Sequence, residues 1–271
     1  MLPSHLYSAY IFDLDGTVYL GDSPLPTAGE TIQTLRTLGK RTVFLSNNPT
    51  HTRHTYAQKL TRLGLPTPPE DVINSSTVMV DFLQRTLPGA RLFVVGEQPL
   101  MDDLRAGGFE LMEDPTRVDA VIASFDRTFV YRKLQIAFDA IRNGARFFAT
   151  NGDRYCPVPP ASPGGPVGGE PDAAAIIAAI EACTNTRVEA IVGKPSHHMA
   201  DAVLHLLNLP AAECLITGDR LETDVQMGLQ SGMSAALTLT GATSESALEN
   251  SPVKPTYVIR QLKDLLPAGK R

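Results

Sequence analysis

Cysteine is scarce in this chain of 271 residues: Cys156, Cys183 and Cys214 are the only three, far apart and odd in number. No CxxC spacing occurs, so neither a zinc knuckle nor a disulfide framework is indicated, and the usage fits a reducing cytosol. A basic excess is also missing. Asp and Glu outnumber Lys and Arg 29 to 24, for a net charge of -5, which argues against nucleic acid as a partner. No uninterrupted apolar stretch approaches the ~20 residues needed to cross a bilayer, and residues 1–8 lack the basic and apolar segments of a signal peptide. Neither GxxxxGK[ST] nor GxGxxG is present, which removes the P-loop and dinucleotide-binding readings. What is there is ordinary globular composition, 43% hydrophobic and 20% charged, in a length equivalent to about 1.8 domains of roughly 150 residues. The expectation is a cytoplasmic protein in two parts, with no nucleic-acid or membrane partner.

The pattern along the chain is α/β. Ala9-Tyr10-Ile11-Phe12 runs into Asp13, and Thr42-Val43-Phe44-Leu45 runs into Ser46-Asn47-Asn48. Short apolar runs ending at polar residues suit parallel strands covered on both faces. Between them, Thr27-Ala28-Gly29-Glu30 reads as a capping box opening a helix with Ile32, Leu35 and Leu38 on one face, closed by Gly39. Near the other end, Ser196 caps a helix carrying Met199, Val203 and Leu206. Cys214-Leu215-Ile216-Thr217 then runs as a strand into Gly218-Asp219, and a helix to Gly232 and a strand over 235–239 follow. The middle offers strands over 92–95, 120–123 and 146–149, and a helix over 131–142 closed by Gly144. Residues 157–171 hold ten Pro or Gly in fifteen positions, a composition that predicts no regular element. No internal repeat or coiled-coil heptad is present.

Four motifs sit where strands end or helices begin, and ligands of open parallel sheets bind beyond the carboxyl ends of strands. In Asp13-Leu14-Asp15-Gly16-Thr17, two carboxylates follow a strand; such a pair can hold a hard divalent cation or divide nucleophile and acid/base roles. Gly16 permits a sharp turn or a close backbone approach. Ser46-Asn47-Asn48 offers hydroxyl, amide and backbone N–H groups to phosphate oxygens, although these are also default turn residues. Gly193-Lys194-Pro195-Ser196 places a lysine just before a helix start, an anion site in outline. Gly218-Asp219 is followed five positions later by Asp224, so that one carboxylate can reach a metal while the other stands behind its waters.

In this order the four motifs resemble the haloacid dehalogenase-like hydrolase superfamily. The Ser-Asn-Asn and Gly-Lys-Pro forms, with a long α/β insert between them, are similar to its subfamily IIA branch of 4-nitrophenylphosphatases, phosphoglycolate phosphatases and pyridoxal phosphate phosphatases. Leu20-Gly21, Gly96-Glu97 and Ala149-Thr150-Asn151 with Asp153 also match, so the resemblance spans about residues 9–241. It implies a Rossmann-like parallel-sheet core, residues 1–83 and 187–271, interrupted by a large α/β cap domain, 84–186. It implies a phosphatase in which Asp13 is the nucleophile and Asp15 the acid/base. Mg²⁺ would be held by the Asp13 carboxylate, the Asp15 main-chain carbonyl and the Asp219 carboxylate, with Asp224 ordering its waters. Ser46, Asn47, Asn48 and Lys194 would bind the phosphoryl group. The expected partner is a small phosphorylated metabolite, and a homodimer through the cap is implied as well.

The same resemblance makes the stretch after Asn151 a specificity loop, with Asn151, Asp153, Arg154, Tyr155 and Cys156 as candidates. Related pyridoxal phosphate phosphatases carry histidine at about the place of Cys156, which lowers the expectation for that substrate. His51 and His54 are read as sharing one helix face, without a third ligand, and His197-His198 as a solvated helix start. Three alternatives use the same fold. A dehalogenase would leave Asp15 and Asp219 superfluous, because halide needs no proton. A phosphomutase differs only in what attacks the aspartyl-phosphate, and a binding module would need no catalytic residues at all.

Overall fold

The computed structural model describes residues 2–158 and 168–267. Its described residues fall into two compact units. One takes Met1–Ser46, Arg53–Ile73 and Lys194–Arg271; the other takes Asn47–Thr52 and Asn74–Gly193.

The first unit is built on a sheet in the order Tyr257–Ile259, Ser234–Thr238, Cys214–Gly218, Ala9–Asp13, Arg41–Ser46, Val72–Asn74. The first five strands pair in parallel, with Ile11 level with Ile216 on one side and Val43 on the other. Every residue of Ala9–Asp13 and Cys214–Gly218 is buried, the condition that makes such strands read as unbroken apolar runs. Tyr10, Phe12, Phe44 and Leu215 pack into one core with Ile32 and Leu35 of the helix Ala28–Thr37 and with Tyr56 and Leu60 of Arg53–Arg62. The chain leaves Ala9–Asp13 toward Arg41–Ser46, while Cys214–Gly218 lies on the opposite side. The carboxyl ends of these two neighbouring strands therefore flank a topological switch point, where open α/β sheets form their ligand crevice.

The second unit has its own parallel sheet, ordered Ala190–Ile191, Arg146–Ala149, Ala120–Ala123, Arg91–Val95, Glu110–Leu111. One face carries Phe93, Val95, Val121, Ala123 and Phe147 against Ala137, Ala140 and Ile141 of Tyr131–Arg142 and Ile176, Ile177 and Ile180 of Ala173–Thr184. Phe148 points the other way and meets Phe82 of Ser75–Thr86 edge-on, ring centroids 5.2 Å apart.

Several sequence expectations are corrected. Breaks read at 83/84 and 186/187 fall at Ile73/Asn74 and Gly193/Lys194. The Ser75–Thr86 helix packs through Phe82 on the second sheet, while Val192 and Gly193 continue its hydrogen bonding by donating to Ala149 and Thr150 carbonyls. Thr27 makes no capping box: it sits in the left-handed region at φ 64° with no side-chain cap bond, and its Oγ1 accepts instead from the Lys263 N–H. The box occurs at Asn74, whose side chain accepts from Thr77 N while Thr77 Oγ1 accepts from Asn74 N. His51 precedes the helix that begins at Arg53, so it shares no helix face with His54. Finally, the ends of the Pro/Gly-rich segment are regular, with Tyr155–Val158 and Gly168–Pro171 forming an antiparallel pair. A two-stranded ribbon has only edges, where a proline without an N–H is tolerated. Residues 159–167 lie outside the described residues.

Candidate active site

Asp13 ends its strand, and Asp219 directly follows Cys214–Gly218 on the adjacent strand. Asp224 lies in Leu221–Val225, a single π-helical turn in which Val225 N donates to the Arg220 carbonyl; such bulges widen a helix locally and recur at functional sites. Here the turn brings the second acid back toward the strand end. Ligand oxygens of Asp13, Asp219 and Asp224 all lie within 4.8 Å of one another, and the three residues are 8%, 5% and 1% exposed. Lys194, itself buried, donates to Asp13 Oδ1 and to Asp224 Oδ1, each at 2.6 Å. The sequence-predicted Asp13, Lys194, Asp219 and Asp224 thus converge. Asp15 stands exposed at the same strand end and contributes no carboxylate to this group.

Glycines make the approach possible. Gly16 turns at φ +82°, and a Cβ there would lie 2.5 Å from Asp219 Oδ2; a Cβ on Gly241 would collide with the same oxygen, and one on Gly218 with the Asp224 carboxylate. A carboxylate walled by backbone has its direction fixed.

Burial dominates the electrostatics. It raises the Asp13 pKa well above the carboxylate range; Lys194 opposes the shift, and the Asp224 and Asp219 charges add to it. Burial, then Asp224, pushes Asp219 up to about 6, against the Ala242 N–H that favours its charged form. For Lys194 burial works against the charge, but Asp13 and Asp224 outweigh it and hold the ammonium on. Fully ionised, the three carboxylates would exceed the single ammonium by two negative charges. An all-oxygen donor set of that charge fits a hard divalent cation.

The second motif is divided. Ser46 Oγ donates to the buried Tyr56 hydroxyl at 3.2 Å. The two asparagine side-chain amides are engaged with neighbouring protein groups. Asn47 Nδ2 donates to Asp153 Oδ2 at 2.9 Å. Asn48 Oδ1 accepts from Thr50 N and Thr50 Oγ1, and its Nδ2 faces Cys156 Sγ at 3.8 Å. Of the specificity candidates, Asn151 is fully buried, Arg154 is exposed, and the Tyr155 ring lies over Gly169.

Residues 10–110 match the family model described as haloacid dehalogenase-like hydrolase, and 191–265 match one described as HAD-hydrolase-like. Sugar-phosphatase AraL of Bacillus subtilis (strain 168) is 38% identical over 94% of this chain and 90% of its own length. The chain belongs to the haloacid dehalogenase-like (HAD) hydrolases. Acid sugar phosphatase of Staphylococcus aureus (strain MRSA252) is 30% identical over 96% of this chain and 97% of its own. The solved 4-nitrophenylphosphatase of Thermotoga maritima superposes with a TM-score of 0.88 at 34% identity, covering 96% of both chains. This HAD hydrolase is a member of subfamily IIA and a phosphoric monoester hydrolase.

Sequence reading missed one part of the HAD site. Beyond the strand Ser234–Thr238, Ala242 N donates to Asp219 Oδ2 at 2.6 Å, Thr243 Oγ1 to the Asp219 carbonyl at 2.6 Å and Thr240 Oγ1 to the Gly16 carbonyl at 2.7 Å. This loop clamps the first and fourth motifs. Its signal was Thr240-Gly241-Ala242-Thr243 at another strand's carboxyl end, where polar residues carry function by position.

Proposed function

We propose that this HAD hydrolase removes phosphate from small phosphomonoesters, sugar phosphates first among them, with 4-nitrophenyl phosphate as an artificial substrate and Mg²⁺ as cofactor. The observation that carries the reading is the buried Asp13, Asp219 and Asp224 cluster around Lys194 at the switch point of the first sheet. The named activities of the relatives support the choice of sugar phosphates. The widely separated free cysteines fit a cytosolic compartment.

Asp13 Oδ attacks phosphorus; the P–O bond to the leaving alcohol breaks, and an aspartyl-phosphate forms. Asp15 gives its proton to the departing alkoxide. It then takes one from the water that attacks the intermediate, so that inorganic phosphate leaves and both side chains return to their starting state. Exposure of Asp15 suits it to exchange that proton with solvent. Lys194 opposes the burial-driven rise in the Asp13 pKa and, with the Ser46 hydroxyl and the Asn47 main-chain N–H, takes up phosphoryl oxygens, the main requirement of phosphoryl transfer. The Asp13 and Asp219 carboxylates and the Asp15 main-chain carbonyl would hold Mg²⁺, with Asp224 behind them, and the cation would neutralise phosphoryl charge.

The test is a phosphomonoester panel assayed with Mg²⁺ and again with EDTA. Turnover is expected with Mg²⁺ and not with EDTA, with sugar phosphates ranked high. An Asp13→Asn protein with confirmed folding is expected to be inactive; wild-type turnover in that variant would remove Asp13 as nucleophile.

A further inference from the structure

The geometry assigns Asp153 a positioning role: it latches Asn47 so that the main-chain N–H of Asn47 is presented to the phosphoryl group. The assignment rests on the phosphate site proposed above and deepens it, because it makes Asp153 a support for phosphate binding and not a contact to the leaving group.

Asp153 Oδ2 accepts two hydrogen bonds, from Asn47 Nδ2 and from Asn151 Nδ2, both at 2.9 Å. Asn151 is in turn fixed on every side. Its Nδ2 also donates to Asp172 Oδ1 at 3.0 Å, and its Oδ1 accepts from Thr150 Oγ1 at 2.8 Å. Thr150 Oγ1 shares a further 2.8 Å bond with Ser124 Oγ. Ser124, Thr150 and Asn151 are fully buried and Asp172 nearly so. Asp172 Oδ1 also caps the helix Ala173–Thr184 through Ala173 N. The latch is thus anchored to two strand ends and a helix start of the second unit.

Asn47 is gripped at a second point, where its carbonyl accepts from Ser75 Oγ at 2.6 Å. Holding both the side chain and the carbonyl of Asn47 fixes its Cα and the position of its main-chain nitrogen. Gly193 completes the seat: a Cβ there would lie 2.7 Å from Asn47 Oδ1 and 2.6 Å from the Thr150 carbonyl. A side chain at the residue preceding Lys194 would collide with both the Thr150 carbonyl and the amide of Asn47, and glycine avoids both.

The experiment measures KM and kcat for several phosphomonoesters, and the inhibition constant for inorganic phosphate, in wild type, Asp153→Ala, Asp153→Asn, Asn47→Ala and the Asp153→Ala/Asn47→Ala double variant. Losing a hydrogen bond to a carboxylate on this scale shifts an equilibrium about tenfold. Asp153→Ala and Asn47→Ala are each expected to raise KM and the phosphate inhibition constant about tenfold, equally for all substrates, with their ranking unchanged. Because they break the same latch, the double variant is expected to be no worse than either single one. Asp153→Asn keeps a carbonyl oxygen able to accept both bonds and is expected to stay within about twofold of wild type. A changed substrate ranking in Asp153→Ala would overturn the assignment in favour of a leaving-group contact. A lower Tm with unchanged KM and inhibition constant would overturn it in favour of a purely structural role, as would effects that multiply in the double variant. If Asp153→Ala does not fold, Asn47→Ala and Asp153→Asn decide alone, and an unchanged inhibition constant in Asn47→Ala overturns the latch. Wild-type activity that inorganic phosphate does not inhibit would remove the phosphate site itself, and the latch with it.

Discussion

At the scale of single residues, this site is built by exclusion as much as by attraction. Asp219 points where it does because Gly16 and Gly241 leave the space its Oδ2 fills. Gly241→Ala is therefore expected to swing the carboxylate away and to raise the Mg²⁺ concentration needed for half-maximal turnover by about tenfold or more, while thermal unfolding in EDTA changes little. A Mg²⁺ titration of 4-nitrophenyl phosphate hydrolysis reads this directly, and an unshifted titration would separate Asp219 from the metal. Lys194 is the complementary case. Removing one partner of a buried ion pair strands the other, at about 3–5 kcal/mol, and Lys194→Met would strand two carboxylates. Urea unfolding in EDTA should show a loss of that order, and added Mg²⁺ should recover part of it by binding only the folded cluster. Equal losses with and without Mg²⁺ would mean that the cation does not share the charge balance with Lys194.

At the scale of elements, the legible parts are those whose sequence pattern and burial have one cause. Ala9–Asp13 and Cys214–Gly218 are buried on both faces, so each is an apolar run that ends where polarity begins, and that end is the site. Tyr131–Arg142 and Arg146–Ala149 were read at their observed bounds for similar reasons. Local chemistry without a packing partner was harder to read. Thr27 has the composition of a capping box, yet the contact to Lys263 draws its hydroxyl away; a bond across 236 residues leaves no local trace. The π-helical turn at Leu221–Val225 and the loop that clamps Asp219 are likewise set by tertiary contacts. Gly29 makes a clean test of propensity, since it lies inside Ala28–Thr37 and a Cβ there would meet nothing within 4 Å. Gly29→Ala should stabilise the protein by roughly 0.4–1 kcal/mol, chiefly by restricting the unfolded chain. A lower urea midpoint would show that the helix start is constrained by something other than propensity.

At the scale of the whole molecule, two parallel sheets share one chain, and the length that suggested about two domains is divided by contacts that composition does not report. The insert begins at Asn74 because a helix that continues directly from a strand of the first sheet turns Phe82 onto the second. The two units also differ in how charge is used. The first buries its carboxylates around Lys194. The second ties its sheet together with half-exposed forks: Arg91 donates Nε and Nη2 to the two oxygens of Asp119, and its own N–H to Oδ2, all at 2.8 Å. Hydrogen bonds from the Arg91 side chain, then from its backbone, hold Asp119 down at about 2. A carboxyl whose folded pKa is depressed contributes stability that is fully present above its ordinary value and is lost as pH falls through the folded one. The second unit should therefore lose this support only on acidification toward about 2. Asp119→Asn, which keeps the shape but not the charge, should lower the urea midpoint at neutral pH, and the difference from wild type should shrink as pH approaches that value. A difference independent of pH would mean that packing of the side chain, not its charge, joins Arg91–Val95 to Ala120–Ala123 at this edge.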